Sequence, residues 1–155
     1  MKKILLGVIC ILSLFLLTGC VKKTVITSDE FKTKVQEYNL TIQDSTEQYN
    51  THKDIVKEVT LAINEESNWQ IEFYTITNAT EAKKMFQANY QKFEAYKENS
   101  MSSSTEVNML NYNTYAQTTE TKYSYISRVE NTLLYVDVPI SAQEDVKVII
   151  ETLGY

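Results

Sequence analysis

The chain has almost no backbone breakers and few of the side chains on which most protein chemistry depends. Its 155 residues include three glycines, one proline, two cysteines and one histidine. Arginine occurs once, as Arg128. Gly7 and Gly19 fall in the first twenty residues, so Gly154 stands alone beyond them, with Pro139 as the one proline. Neither common glycine-rich phosphate loop can be built from such a sequence. Cys10 and Cys20 are both N-terminal. The remainder therefore has no disulfide framework, thiolate metal ligand or cysteine nucleophile. With one histidine and no thiol, a zinc site is not expected, and no acidic loop matches an EF-hand. A catalytic triad would have to use His52, which lies in the polar run Asn50-Thr51-His52-Lys53. No serine has a nucleophile-elbow setting, so His52 reads as a solvated loop residue. No catalytic residue, cofactor or metal ligand is predicted.

One long hydrophobic run is present. Lys2 and Lys3 precede an almost wholly apolar stretch, Ile4 to Leu17, and Thr18-Gly19-Cys20 closes it. A membrane-spanning helix needs about 20 apolar residues, so this shorter run reads as a secretory signal. Leu17-Thr18-Gly19-Cys20 resembles the lipobox of bacterial lipoproteins. In that family the cysteine thiol receives a diacylglycerol, the signal is cut just before it, and the cysteine becomes the first residue. The resemblance implies a signal peptide over 1–19, a lipidated tether over 20–26 starting at Cys20 with its acyl chains (palmitate and the like), and one domain over 27–155. It also implies a lipid anchor on the extracytoplasmic face of the cell membrane. The alternative is an uncleaved N-terminal anchor, which holds the domain in the same place. Two acyl chains bury many methylenes at about 0.8 kcal/mol each, enough for stable anchoring, whereas one chain is marginal.

Cleavage before Cys20 removes 19 of the 155 residues and leaves 136, a length suited to one domain. Lys2 and Lys3 go with it, so 15 basic side chains become 13 against 20 acidic ones, a net charge of −7. An acidic domain tethered at its N-terminus is not expected to bind nucleic acid or to lie flat on anionic lipid. Abundant lysine and asparagine with a single arginine suit an AT-rich genome, such as that of a low-GC Gram-positive bacterium.

Helix signals are local and repeated. Thr27-Ser28-Asp29-Glu30 reads as a capping box, followed by Phe31, Val35 and Tyr38 on one helical face. Asn78-Ala79-Thr80-Glu81 opens a second helix with a stripe from Ala82 through Phe86 and Phe93 to Tyr96. Ser141-Ala142-Gln143-Glu144 opens a third, ending at Gly154. Strand patterns cover Ile55–Ile63 and Trp69–Ile76, joined as a hairpin. A further strand pattern lies near Val107–Tyr115. A second hairpin covers Thr121–Val129 and Thr132–Val138, and Asn131 is the residue expected to carry positive φ in its turn. Asn39–Lys53 and Asn99–Thr105 read as loops. The predicted fold class is α+β: an antiparallel sheet of about five strands with helices packed on one face, in the order α-β-β-α-β-β-β-α. The hairpin-then-helix stretches 55–97 and 121–153 look alike, as an old duplication would.

The block Ile126-Ser127-Arg128-Val129-Glu130-Asn131-Thr132-Leu133-Leu134-Tyr135 is similar to one in small lipoproteins of Gram-positive bacteria that have no assigned activity. There an Arg-Val-x-Asn-Thr-Leu run closes a hairpin. With the Ile71-Glu72-Phe73-Tyr74 strand, the resemblance implies an exported α+β domain.

Paired carboxylates, as used by acid hydrolases, occur at Glu65-Glu66 and Asp29-Glu30, but these sit in a turn and at a helix start. The eleven tyrosines are the more suggestive feature, with Tyr112, Tyr115, Tyr123 and Tyr125 clustered. Tyrosine suits recognition surfaces and equally half-buried sheet. These four are the candidate binding face, and Arg128 is either its cation or a structural ion-pair partner. The function expected is a non-enzymatic binding or accessory module of the cell envelope, contacting an envelope protein or wall component. The alternatives are a small-ligand binder and a hydrolase whose carboxylates come from separate elements.

Overall fold

The computed structural model describes residues 22–97 and 101–155. The apolar run, the lipobox and Cys20 lie outside the described residues. Among those described, the elements in order are α1 (Ser28–Gln36), β1 (Thr41–Asp44), a 3-10 helix (Thr46–His52), β2 (Val56–Asn64), β3 (Trp69–Ile76) and α2 (Ala79–Lys97). They are followed by β4 (Ser102–Asn108), β5 (Tyr112–Thr119), β6 (Lys122–Val129), β7 (Thr132–Pro139), a 3-10 turn (Ile140–Ala142) and α3 (Gln143–Leu153). All seven strands form one sheet in the order β1-β2-β3-β7-β6-β5-β4, and every neighbouring pair is antiparallel.

The α+β class and the antiparallel sheet agree with the expectation from sequence; the strand count and element order do not. Two polar segments read as loops are edge strands. β1 lies inside 39–53 and pairs only with β2, Thr41 opposite Ile63. β4 starts in the serine-rich run and pairs only with β5, Ser102 opposite Thr119. Both are largely exposed, so neither shows the apolar alternation that marks a strand in sequence; ladder pairing alone defines them. The strand expected near 107–115 is cut by a turn at residues 109–111, where the Met109 N–H donates to Tyr112 O at 2.9 Å.

The helices lie on both faces of the sheet, not one. On the first face α1 and α3 bury Phe31, Val35, Val146, Ile150 and Leu153 against Ile71, Phe73, Leu134 and Val136. On the other, α2 buries Ala82, Phe86 and Phe93 against Tyr74, Tyr115, Ile126 and Leu133. The cause is topological: α2 must carry the chain from β3, inside the sheet, to β4 at its far edge. Inner strands are thus covered twice, and β6 is buried at seven consecutive positions, Tyr123 to Val129. This geometry also separates the two similar halves. A twofold axis exchanging antiparallel neighbours β3 and β7 stands perpendicular to the sheet and preserves its faces. The helices α2 and α3 lie on opposite faces, so that axis does not relate them.

Chain ends and turns follow local chemistry with two exceptions. Thr27 and Glu30 form the expected reciprocal capping box, Asn78 Oδ1 accepts from Glu81 N at 3.0 Å, and Gly154 ends α3 at φ 83°. Ser141, however, lies in the 3-10 turn, and α3 begins after Ala142 without a side-chain cap. In the β6–β7 turn, Glu130 and not Asn131 carries the positive φ, at 50°. Asn131 bridges to the end of β3 instead: its Nδ2 donates to Ile76 O at 3.0 Å, and its carbonyl accepts from Ile76 N at 2.8 Å. That task fixes Asn131 and leaves the strained position to its neighbour.

Candidate functional site

The alternation of β3, β7, β6 and β5 sends two kinds of side chain to the α2 face. Near the β6–β7 turn most are apolar, Ile126, Leu133 and Tyr74 among them, and lie beneath α2, with Arg128 and Asn113 paired beside them. Toward the opposite strand ends they are polar: Gln70 and Glu72 on β3, Tyr135 and Asp137 on β7, Ser124 on β6, Gln117 on β5. This polar strip forms a groove beside α2. One part, of about 360 Å³, runs along Ile63, Gln70, Glu72, Tyr135 and Asp137. A second, of about 290 Å³, continues through Asp137, Lys122, Ser124, Gln117 and Tyr96. A third, of about 360 Å³, shares Glu72 and Tyr135 and reaches Tyr74, Met85 and Lys92.

The two carboxylates in the groove are held by neighbours. Glu72 Oε1 accepts from Gln70 Nε2 at 2.8 Å, and its Oε2 accepts a short hydrogen bond from the Tyr74 hydroxyl. Asp137 Oδ2 pairs with Lys122 Nζ at 2.8 Å, and Oδ1 accepts from Ser124 Oγ at 3.0 Å. All four oxygens are engaged. Tyr135 sits opposite Glu72 in the ladder and stacks on Phe93 of α2, 5.5 Å between centroids. Burial, and then the carboxylates of Asp137 and Glu72, push its phenol up to about 12, so it stays neutral and able to donate.

Gln117 is the unbalanced member. Its side chain is 2 % exposed. Its Oε1 lies 3.3 Å from the Tyr115 hydroxyl, but that hydroxyl has one proton and makes a much shorter bond to Glu94. Gln117 Nε2, itself buried, has no partner among the described residues. A buried amide N–H left unpaired costs about 1–3 kcal/mol, and turning the Gln117 amide over places a donor 3.3 Å from the Tyr115 hydroxyl oxygen, whose proton is already given to Glu94.

The tyrosines singled out in the sequence do not make one exposed face. Tyr115 is 1 % exposed and points to the α2 side, edge-on to Tyr90 at 4.9 Å. Tyr123 and Tyr125 point to the opposite side, are buried in the core with α3, and lie 6.4 Å apart. Tyr112 shares their face but is only half-buried, with Lys23 Nζ 5.0 Å from its ring centre. The physical reason is the two-sided cover of the sheet, which makes both faces of β5 and β6 interior. Arg128 is 4 % exposed on the α2 side and meets no carboxylate within salt-bridge distance among the described residues. Its Nε donates to Asn113 Oδ1 at 2.7 Å and its Nη1 to Glu130 O at 3.0 Å. It therefore braces the β6–β7 turn against β5. Desolvation lowers its pKa, with the nearby Glu130 opposing.

His52 is exposed at the end of the 3-10 helix, whose Tyr49 borders the third part of the groove. Glu65-Glu66 occupies the β2–β3 turn and Asp29-Glu30 the first turn of α1, as expected. Among the described residues no group of three or more His, Cys, Asp or Glu side chains is placed to hold a metal ion. Nor, among them, is any helix long and apolar enough to cross a membrane.

Sequence reasoning missed the groove. Polar residues alternating along a strand read as an ordinary solvent face. The one available signal was Ser124 and Gln117 recurring among tyrosines on strands otherwise filled on both sides. No protein-family model, no curated protein and no solved structure matches this chain.

Proposed function

We propose that this protein is a lipid-anchored envelope lipoprotein, attached through Cys20 at the extracytoplasmic face of the membrane. Its domain is a non-enzymatic binding or accessory module. The observation that carries the reading is the groove beside α2, with Gln117, Ser124, Tyr135 and Tyr96 in its wall. Glu72 and Asp137 are each held by two hydrogen bonds, so the groove wall keeps a fixed shape for an occupant. Neutral tyrosine and amide groups suit an uncharged occupant rich in hydrogen-bonding groups, such as a wall glycan or an extended peptide backbone.

The test is crosslinking of the full chain in intact cells, with Cys20→Ala and Gln117→Met as comparisons. A discrete partner is expected for the native chain. Cys20→Ala should release the domain from membranes and lose that partner. Gln117→Met should stay anchored and folded, since it keeps an unbranched side chain of similar length, yet lose the partner at least several-fold. Membrane retention of Cys20→Ala equal to the native chain would overturn the lipid anchor. Unchanged capture by Gln117→Met would overturn the groove as the contact.

A further inference from the structure

The connections between strands differ in kind. Glu65–Asn68, Glu120–Thr121 and Glu130–Asn131 are polar. The β4–β5 turn instead presents Met109, 46 % exposed, and Leu110, 91 % exposed. An exposed leucine alone means little, but this one stands beside the point where the N-terminal chain enters the domain. Asn111, the third residue of that turn, is buried and donates from Nδ2 to Lys23 O at 2.8 Å. Lys23 lies over Tyr112, Val25 is part-exposed, and Ile26 is buried in the core. The chain is thus pinned to the domain at Lys23, only three residues after Cys20. Fully extended, three residues span at most about 11 Å.

We propose that the β4–β5 tip, Met109–Leu110, is a membrane-contact surface that seats the domain on the bilayer beside its N-terminal anchor, with Lys22 and Lys23 against the headgroups. The inference rests on the N-terminal attachment proposed above, but not on its chemistry. An acylated Cys20 and an uncleaved apolar run Ile4–Leu17 both place the membrane surface within reach of Lys23.

Charge distribution agrees. Lys53 and Lys57 lie at the same end of the sheet as the tip, with Asp54 and Glu130 among them. The opposite end carries Glu65, Glu66, Glu120, Glu144 and Asp145, all exposed. Lys53 and Lys57 are balanced by Asp54 and Glu130, so the attraction to anionic headgroups at the tip comes from Lys22 and Lys23, while the acidic far pole is repelled and the domain stands upright on its tip. The tip can enter without unfolding: Asn108 Oδ1 accepts from Asn113 Nδ2 at 2.7 Å, and the Asn111 carbonyl accepts from Glu130 N at 2.9 Å. These bonds fix the turn's base and leave Met109 and Leu110 outward.

The test uses the full chain, isolated from membranes and reconstituted into phosphatidylethanolamine–phosphatidylglycerol vesicles with brominated acyl chains. Two variants, Leu110→Trp and Glu66→Trp, are compared; the single native tryptophan, Trp69, contributes equally to both. The mass of the N-terminal peptide reports separately whether Cys20 is acylated. Bromine quenching at least twofold stronger in Leu110→Trp than in Glu66→Trp is expected. Equal quenching in protein that stays with the vesicles overturns the tip contact and leaves the anchor standing. Failure of the protein to stay with the vesicles overturns the anchor and the tip together.

Discussion

Replacing Tyr115 by alanine should be among the most damaging single changes in this domain. The ring is buried between β5 and α2, edge-on to Tyr90 at 4.9 Å and stacked with Phe93 at 6.3 Å. Deleting a large buried aromatic costs about 3–5 kcal/mol, a large part of the 5–15 kcal/mol that holds a domain of this size together. Tyr115→Phe keeps the stack and loses only the hydroxyl. Its cost should be about 1–1.5 kcal/mol, because the part-exposed carboxylate of Glu94 can turn to water. That hydroxyl is the chief cause of a lowered pKa at Glu94, with Lys97 adding to it. A carboxylate depressed by folding adds stability above its unfolded value and loses it as pH falls through its folded one. The Tyr115→Phe deficit should therefore be present near pH 7 and shrink in acid, below about pH 4. Urea unfolding followed by circular dichroism measures all of this. If Tyr115→Ala costs no more than Tyr112→Ala, whose ring is half-exposed, the two-sided packing of β5 is wrong and the tyrosines belong to an open face after all.

Glu130→Gly should raise stability by about 0.5–1 kcal/mol, since Glu130 holds φ at 50° where glycine has no steric penalty. A lower urea midpoint would show that the Glu130 side chain contributes more than its backbone strain removes. Seven tyrosines, Tyr74, Tyr90, Tyr115, Tyr123, Tyr125, Tyr135 and Tyr155, have pKa values raised chiefly by desolvation, Tyr135 to about 12. The fold favours their neutral form, whereas the unfolded chain loses those protons near pH 10, so stability should fall as pH rises from about 10 toward 12. An ultraviolet absorbance titration should show most phenolate appearing together with the loss of the circular dichroism signal; gradual ionisation of every tyrosine with the signal intact would contradict it.

Where a residue's role is set within its own segment, the sequence discloses it. The capping box at Thr27–Glu30, the Gly154 stop and the Trp69/Ile71/Phe73 face each depend on spacing within a few residues. Roles set by distant neighbours are hidden. β1 and β4 are strands because β2 and β5 offer free edges, not because Thr41–Asp44 or Ser102–Asn108 prefer it. Tyr115 and Tyr123 look equivalent until the path of α2 assigns them to opposite sides. Glu130 takes the strained position only because Asn131 is occupied at the end of β3. The groove is the extreme case, since Gln70, Glu72, Asp137, Ser124 and Gln117 come from four strands whose order 3-7-6-5 no local pattern records.

The two proposals constrain each other through the direction of the strands. The β4–β5 tip and the entry of the chain at Lys23 lie at one end of the sheet. The groove residues Gln70, Asp137, Lys122 and Gln117 lie toward the other, since Gln70 follows the β2–β3 turn and Lys122 follows the β5–β6 turn. A strand of eight residues is about 26 Å long. With the tip on the bilayer, the groove stands on the order of 20 Å above it and opens sideways from the sheet. A binder of lipid headgroups or of a membrane-embedded segment would need its site at the tip end. A groove raised to that height meets what lies outside the membrane: a wall polymer, or the outer domain of another envelope protein. A crosslinked partner with no mass outside the bilayer would therefore contradict the upright posture even if the groove itself proved to be the contact.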